Sequence, residues 1–451
     1  MLKSSSESAI NSSLNGKQIL FKCGDSFSGG ATFGGTKFSI GAYGGCQGTQ
    51  SNRPIFHGPL QVSTGTVTDG RLTDIDFEST GSYALSTTIG NETGPMTLYN
   101  LNSSGNNTSY YWSQGTQWGL IQSTMTSMGS AIGVFVNYGQ NNCLNASRAY
   151  NCGGTPAFEN IAYQAVLGNN FNGAGATTES AGIELLRVSA CRMCVIANNT
   201  LQNANNVGAT LKFHSGNSYD TQNQWIGQYS ELTEISDNHF LGQSGAQIVE
   251  IAPQNNQTDE RIRNIVFERN LVDGSVAGAK VLVSAHNATI RNNVFYIPSG
   301  GQEPTFAVQV AQRGSEYSSP PSPCPNGVGV CAGAPPINVE VYNNTCYQTS
   351  TCVGLEGTNY IAPANNSWAQ NNLFYSSHGG STVANGGSGN TVSNNTTSPT
   401  ANPGFTNDSG SFSLISDFTP TANYSGGISV PVYFDALDNL IASYFLGAVA
   451  P

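Results

Sequence analysis

Five short segments of this 451-residue chain set ionisable or amide side chains among apolar ones. They are Gly182-Ile-Glu184-Leu-Leu-Arg187, Thr210-Leu-Lys212-Phe-His214, Ile248-Val-Glu250-Ile251, Val281-Leu-Val-Ser-Ala-His286 and Ala307-Val-Gln-Val-Ala-Gln-Arg313. Successive side chains of an extended strand point to opposite faces, so turning Leu211 and Phe213 inward turns Lys212 and His214 outward. The same alternation turns Glu250 outward between Val249 and Ile251. Together these residues supply what proton abstraction next to a carboxylate requires. Lys212 or His214 is a base, Arg187 or Arg313 a cation for the developing charge, and His286 an acid for the leaving oxygen. Glu184 and Glu250, with Asp220 or Asp273 in reserve, offer the paired carboxyl groups of a hydrolytic reaction instead.

Charge is concentrated around these segments. The chain holds 16 Lys+Arg and 27 Asp+Glu, a net charge of −11, and only 10% of its residues are charged. Residues 187–313 carry 9 of the basic and 10 of the acidic residues, so an anionic polymer meets least repulsion there. An acidic chain without a Lys/Arg cluster is a poor partner for nucleic acid or anionic lipid. No apolar run is long enough to span a bilayer, and Met1 to Ser13 lacks the apolar core of a secretory signal, so a leader removed from this chain is expected. With 38% hydrophobic residues the chain is expected to fold, and a monomer is expected.

The ten cysteines fall into neighbouring sets: Cys23 with Cys46, Cys143 with Cys152, Cys191 with Cys194, Cys324 with Cys331, and Cys346 with Cys352. Local disulfide clips on loops, formed in an oxidising compartment, are the simplest reading.

What must position the chemistry is a repeat. A strand, then a polar residue and Asn, then a hydrophobic residue recurs with its Asn at 170, 199, 238, 270, 293, 344, 372 and 395. The spacings fit a rung of about 23 residues with loop insertions. Each rung contains short period-2 strands and no helical spacing, which leaves stacked coils of parallel strand. Rungs about 4.8 Å apart let an Asn at the same corner of each hydrogen-bond to the next, and Asn tolerates the left-handed backbone a corner needs. The expected fold is all-β: one single-domain right-handed parallel β-helix, a solenoid with loop insertions.

The opening residues Gly16 to Gly29, Phe38 to Gly44 and Arg53 to Phe56, and the closing Asn402-Pro-Gly-Phe405, Asp417-Phe418, Gly426-Gly427 and Val430 to Asp435, resemble secreted parallel β-helix proteins of the pectate-lyase-like superfamily. The resemblance implies residues 1–60 as an N-terminal cap with the first rungs, 61–400 as the β-helix with its Asn ladder, and 401–451 as a C-terminal cap. The caps are expected to cover the open ends of the stack. The resemblance also implies a secreted, cell-surface or periplasmic protein acting on a polysaccharide. The foremost expectation is a lyase cleaving a uronic-acid-containing polymer by β-elimination; a glycoside hydrolase or epimerase, and a non-catalytic glycan-binding protein, are the alternatives. Ca2+ held by Glu250 and Asp or Asn oxygens is an alternative neutraliser of the uronate. Aromatic residues in loops, Trp112, Trp118, Tyr219, Trp225 and Tyr229, are expected as platforms for sugar rings, with Arg313 beside them. The sequence carries no polygalacturonase, pectate-lyase or mannuronan-epimerase signature, so no catalytic residue is assigned by motif.

Overall fold

The computed structural model describes residues 2–4, 6–10, 13–62, 67–81, 83–87, 94–112, 117–126, 133–136, 163–173, 184–189, 191–204, 209–214, 229–243, 247–252, 261–275, 278–297, 305–312, 336–356, 362–397, 400–407, 412–421, 426–441 and 445–450. Among them the secondary structure is short β-strands, with two single-turn 3-10 helices, Glu7–Ile10 and Ile415–Phe418. Consecutive strands pass in rotation to three sheets, and every strand pairing between rungs is parallel, so the architecture is a parallel β-helix. The chain divides into two compact units, Met1–Val207 and Gly208–Pro451. A solenoid permits this because each rung packs only on its neighbours and no single core ties the whole chain together.

Alternation builds each rung. Ile19 and Phe21 face inward from Gln18–Lys22 and meet Ile40 and Ala42 of the next rung in register. Phe21, Phe27, Phe56 and Phe77 continue the interior of the first unit, with ring centroids 4.7–6.3 Å apart. In the second unit Leu211, Val249, Val281, Val308 and Val353 stand above one another and are sealed from solvent.

The Asn ladder is present, and its members are fully bonded. Asn270 Nδ2 donates to Asn293 Oδ1 at 3.1 Å, Asn293 to Asn344 at 3.0 Å, Asn344 to Asn372 at 3.0 Å and Asn372 to Asn395 at 2.9 Å. Each amide also donates to a strand carbonyl, as Asn344 does to Ile290. The first expected member is displaced by one residue: Asn169, not Asn170, bonds to Asn199, at 2.8 Å. The inward residue stands two positions after the ladder Asn, Phe171 after Asn169 as Leu201 after Asn199, and that spacing fixes the register.

The residue before each ladder Asn takes positive φ and points outward: Asn198, Asn292, Asn343, Asn371 and Asn394 all do so. In the second unit three of these amides, those of Asn292, Asn371 and Asn394, hold the C-terminal tail. Asn292 Nδ2 donates to the Phe434 carbonyl at 2.7 Å, Asn394 Nδ2 to that of Gly426 at 2.8 Å, and Asn371 both donates to the Ile428 carbonyl and accepts from its N–H.

The described part of the tail lies along the flank of the second unit. Phe405, Phe412 and Phe418 pack beside Tyr296 and Leu373 on the outer face of the third sheet, and Val430 and Val432 pack on Tyr342. In the last rung Val392 is 42% exposed, while its inward counterparts Val341 and Ala369 are sealed. At the other terminus the Glu7–Ile10 turn lies against the strand Ala31–Phe33, and Ile10 and Leu14 are buried.

Candidate functional site

The strand Leu211–His214 of the second unit pairs with Val249–Ile251, placing Lys212 directly beside Glu250. Lys212 Nζ lies 3.4 Å from Glu250 Oε2, with the two side chains only 8% and 5% exposed. Both occupy the outward face, as alternation requires, yet both are buried. Thr210 and His214 are the neighbouring outward residues on the same strand and are buried as well. Ser230 Oγ donates to the backbone carbonyl of His214 at 2.8 Å, which ties this strand end to the first sheet.

Register carries the same outward column onward from Glu250 to Leu282 and then to Gln309. Gln309 is buried, and its Nε2 has no hydrogen-bond partner among the described residues; the Thr210 hydroxyl is in the same state. Unpartnered buried donors are costly, so a polar ligand would relieve that cost in the bound state. Neither residue is singled out by composition or motif; the parity of their strands is the signal that finds them.

A second buried ion pair stands in the first unit. Arg187 Nη1 lies 3.4 Å from Glu184 Oε2, and the strand Leu186–Ser189 turns Leu186 and Val188 into the interior and Arg187 out of it. The two carboxyl groups expected to act together in hydrolysis thus belong to different units, and each faces a cation of its own.

His286 does not join the Lys212–Glu250 column. The position matching Glu250 on its rung is Leu282, and His286 lies four residues further on, bridged to Arg263 and Ile337 at the entry to the first sheet. Asp273 is on the third sheet, its Oδ2 3.9 Å from His239 Nε2. Trp112 and Trp118 are not platforms either: both are 1% exposed. Trp112 shares register with Val136 and Val188, stacks on Trp118 at 5.6 Å, and donates from Nε1 to Gln164 Oε1 at 3.0 Å. Alternation explains this, since Trp112 lies on the same side as buried Tyr110 and leaves Tyr111 outward. Tyr229 begins a first-sheet strand, Tyr229–Ser236. Tyr219, Asp220, Trp225 and Arg313 lie outside the described residues, as do Cys143, Cys152, Cys324 and Cys331. Disulfides join Cys23 to Cys46, Cys191 to Cys194 and Cys346 to Cys352, as the spacing predicts.

Among the described residues no group of three or more His, Cys, Asp or Glu side chains gathers as a metal site, and Lys212 takes up Glu250 Oε2. Glu250 is thus held by a cationic side chain rather than gathered with other acidic side chains as calcium needs.

A further ionisable group nearby is structural in its contacts. Lys280 is wholly buried and donates to the carbonyls of Val272 at 3.2 Å, Gly274 at 2.6 Å and Tyr296. Burial pushes its ammonium down to about 7, against the pull of Asp273.

No protein-family model matches the chain, and no curated protein matches it in sequence. Among solved structures, a complex of the alginate lyase AlyF-OU02 with G6 resembles it with a TM-score of 0.54 at 12% identity, over 89% of this chain and 86% of that one. The PL6 family polysaccharide lyase from Pseudopedobacter saltans aligns at a TM-score of 0.46 and 10% identity, over 89% of this chain and 94% of that one. The A-module of a mannuronan C-5 epimerase from Azotobacter vinelandii aligns at 0.39 and 9%, over 84% and 91%. At such identities the first of these likenesses shows a shared parallel β-helix fold and nothing finer.

Proposed function

We propose that the chain is a polysaccharide lyase that cleaves a uronic-acid-containing polymer by β-elimination on the outward face of Leu211–His214 and Val249–Ile251. The observation that carries this reading is the buried Lys212–Glu250 pair with His214 beside it, on a face the apolar core does not need. Burying charge is expensive, and replacing such a pair by apolar residues is often neutral or stabilising, so its presence points to use.

In this reading the Lys212 ammonium, oriented by Glu250, meets the uronate carboxylate and makes the carbanion at the adjoining carbon tolerable. His214 takes the C5 proton, the electron pair of that bond becomes the C4–C5 double bond, and the C4–oxygen bond breaks. The imidazolium then returns its proton to the leaving oxygen. Gln309 Nε2 and the Thr210 hydroxyl supply donors for sugar oxygens along the same column. Hydrolysis finds less support, since it needs two carboxyl groups turned to the scissile bond and Glu184 and Glu250 each face a cation instead. The disulfides favour an oxidising compartment, hence a secreted or cell-surface protein.

Alginate is the first polymer to try, since the fold is shared with an alginate lyase. Incubation with a panel of polyuronates and neutral polysaccharides, followed by ultraviolet absorbance of the conjugated product and by reducing ends, tests the reading. Elimination raises both signals, and His214→Ala lowers the rate by roughly 100-fold or more. Reducing ends without absorbance would overturn it in favour of hydrolysis, and silence across the panel would leave glycan binding.

A further inference from the structure

In the first unit the outward column of the second sheet follows direct register through Thr32, Gln61, Ser86 and Tyr111. From Thr32 to Tyr111 it carries no charge. Thr32 Oγ1 lies 3.4 Å from Gln61 Oε1, so a hydroxyl and an amide stand on adjacent rungs at the surface. The Tyr111 ring is half-buried, and the ring of Tyr83 lies 5.2 Å from it, the planes inclined at 50°. Tyr83 is 40% exposed at the start of the strand Tyr83–Thr87.

We propose that this strip is a saccharide-binding site, in which the Tyr83–Tyr111 pair receives the apolar CH face of a pyranose ring and Gln61 and Thr32 hydrogen-bond the hydroxyls of the units beyond it. Three features select this ligand. Flat aromatic rings with a polar edge suit a ring that is apolar on its face and hydroxylated at its rim. The rung spacing of about 4.8 Å offers one amide or hydroxyl per sugar along a chain laid parallel to the stack. The strip is one residue wide and interrupted by Ser, Gln and Thr, unlike the broad apolar centre of a protein interface. With no cation between Thr32 and Tyr111, recognition falls on CH faces and hydroxyls, so binding is insensitive to salt. The site is independent of any bond-breaking step assigned to His214.

The test is calorimetric titration with cellohexaose and with a uronate hexasaccharide, at low and high salt, in the His214→Ala background so that turnover does not consume the probe. The full chain is compared with Tyr83→Ala/Tyr111→Ala and with Tyr111→Phe. At least one hexasaccharide is expected to bind with an affinity that salt leaves unchanged. The double alanine variant should lose tenfold or more, and Tyr111→Phe, which keeps the ring, should retain most of the binding even if the alanine variant fails to fold. Equal affinity in the double variant, strong salt dependence, or no binding of either probe would overturn the proposal. If the strip binds while the polyuronate panel shows no elimination, the catalytic reading fails and this one stands.

Discussion

At the scale of single residues, burial separates groups that hold the structure from groups available for chemistry. Lys280 belongs to the first kind: three backbone carbonyls surround its ammonium, and the charged neighbour acting on it is Asp273. Because burial brings Lys280 to about 7, the unfolded chain binds one more proton than the folded one from there up to the ordinary lysine range. Stability from this residue therefore rises with pH across that window, by up to about 1.4 kcal/mol per pH unit. Buried Tyr110, Tyr296 and Tyr342, all raised by burial, act oppositely above pH 10. Thermal melting between pH 7 and 10 should show the rise in the full chain and lose it in Lys280→Met; equal slopes in the two would refute the assignment. Sequence parity alone places Lys212, His214 and Glu250 on the outward face. The same alternation puts Trp112 inside and Tyr111 outside, against what aromatic composition alone suggests. His286 is misplaced for another reason: loops of unequal length make a count along the chain a poor guide to register, which backbone pairing decides.

At the scale of elements, each Asn-Asn corner divides its labour. The second Asn turns in and joins the ladder, while the first takes positive φ and turns out, where in the second unit it secures the tail. Removing Asn344 leaves the N–H and amide of Asn293 without their acceptor and takes one donor each from the Ile290 and Tyr342 carbonyls. Asn344→Ala should cost on the order of 3 kcal/mol or more in denaturant unfolding. Asn371→Gly keeps the left-handed backbone and gives up two bonds to Ile428, so it should cost about 1 kcal/mol while speeding proteolytic cleavage of the tail. Comparable losses in the two variants would refute this division. The inward ladder is legible in the sequence because its partners are copies of itself. The outward role is not, because its partners lie far along the chain, as Asn371 and Ile428 do.

At the scale of the whole molecule, the three-sheet coil is readable from short alternating strands and a recurring corner, whereas the place of the tail is not. Its aromatic residues mark it as a cover, and the structure lays that cover along the flank of the second unit, where outward Tyr296 and Tyr347 provide matching rings. Among the described residues the final rung is a strand edge with Val392 42% exposed, its polar neighbours Thr391 and Ser393 giving only modest protection. Such an edge is a template on which an extended segment of another molecule can be laid down. Storage concentration thus enters the behaviour of the protein: light scattering should rise with time in concentrated stocks and stay flat in dilute ones, and Val392→Lys should abolish the difference by setting a charge on the growing face.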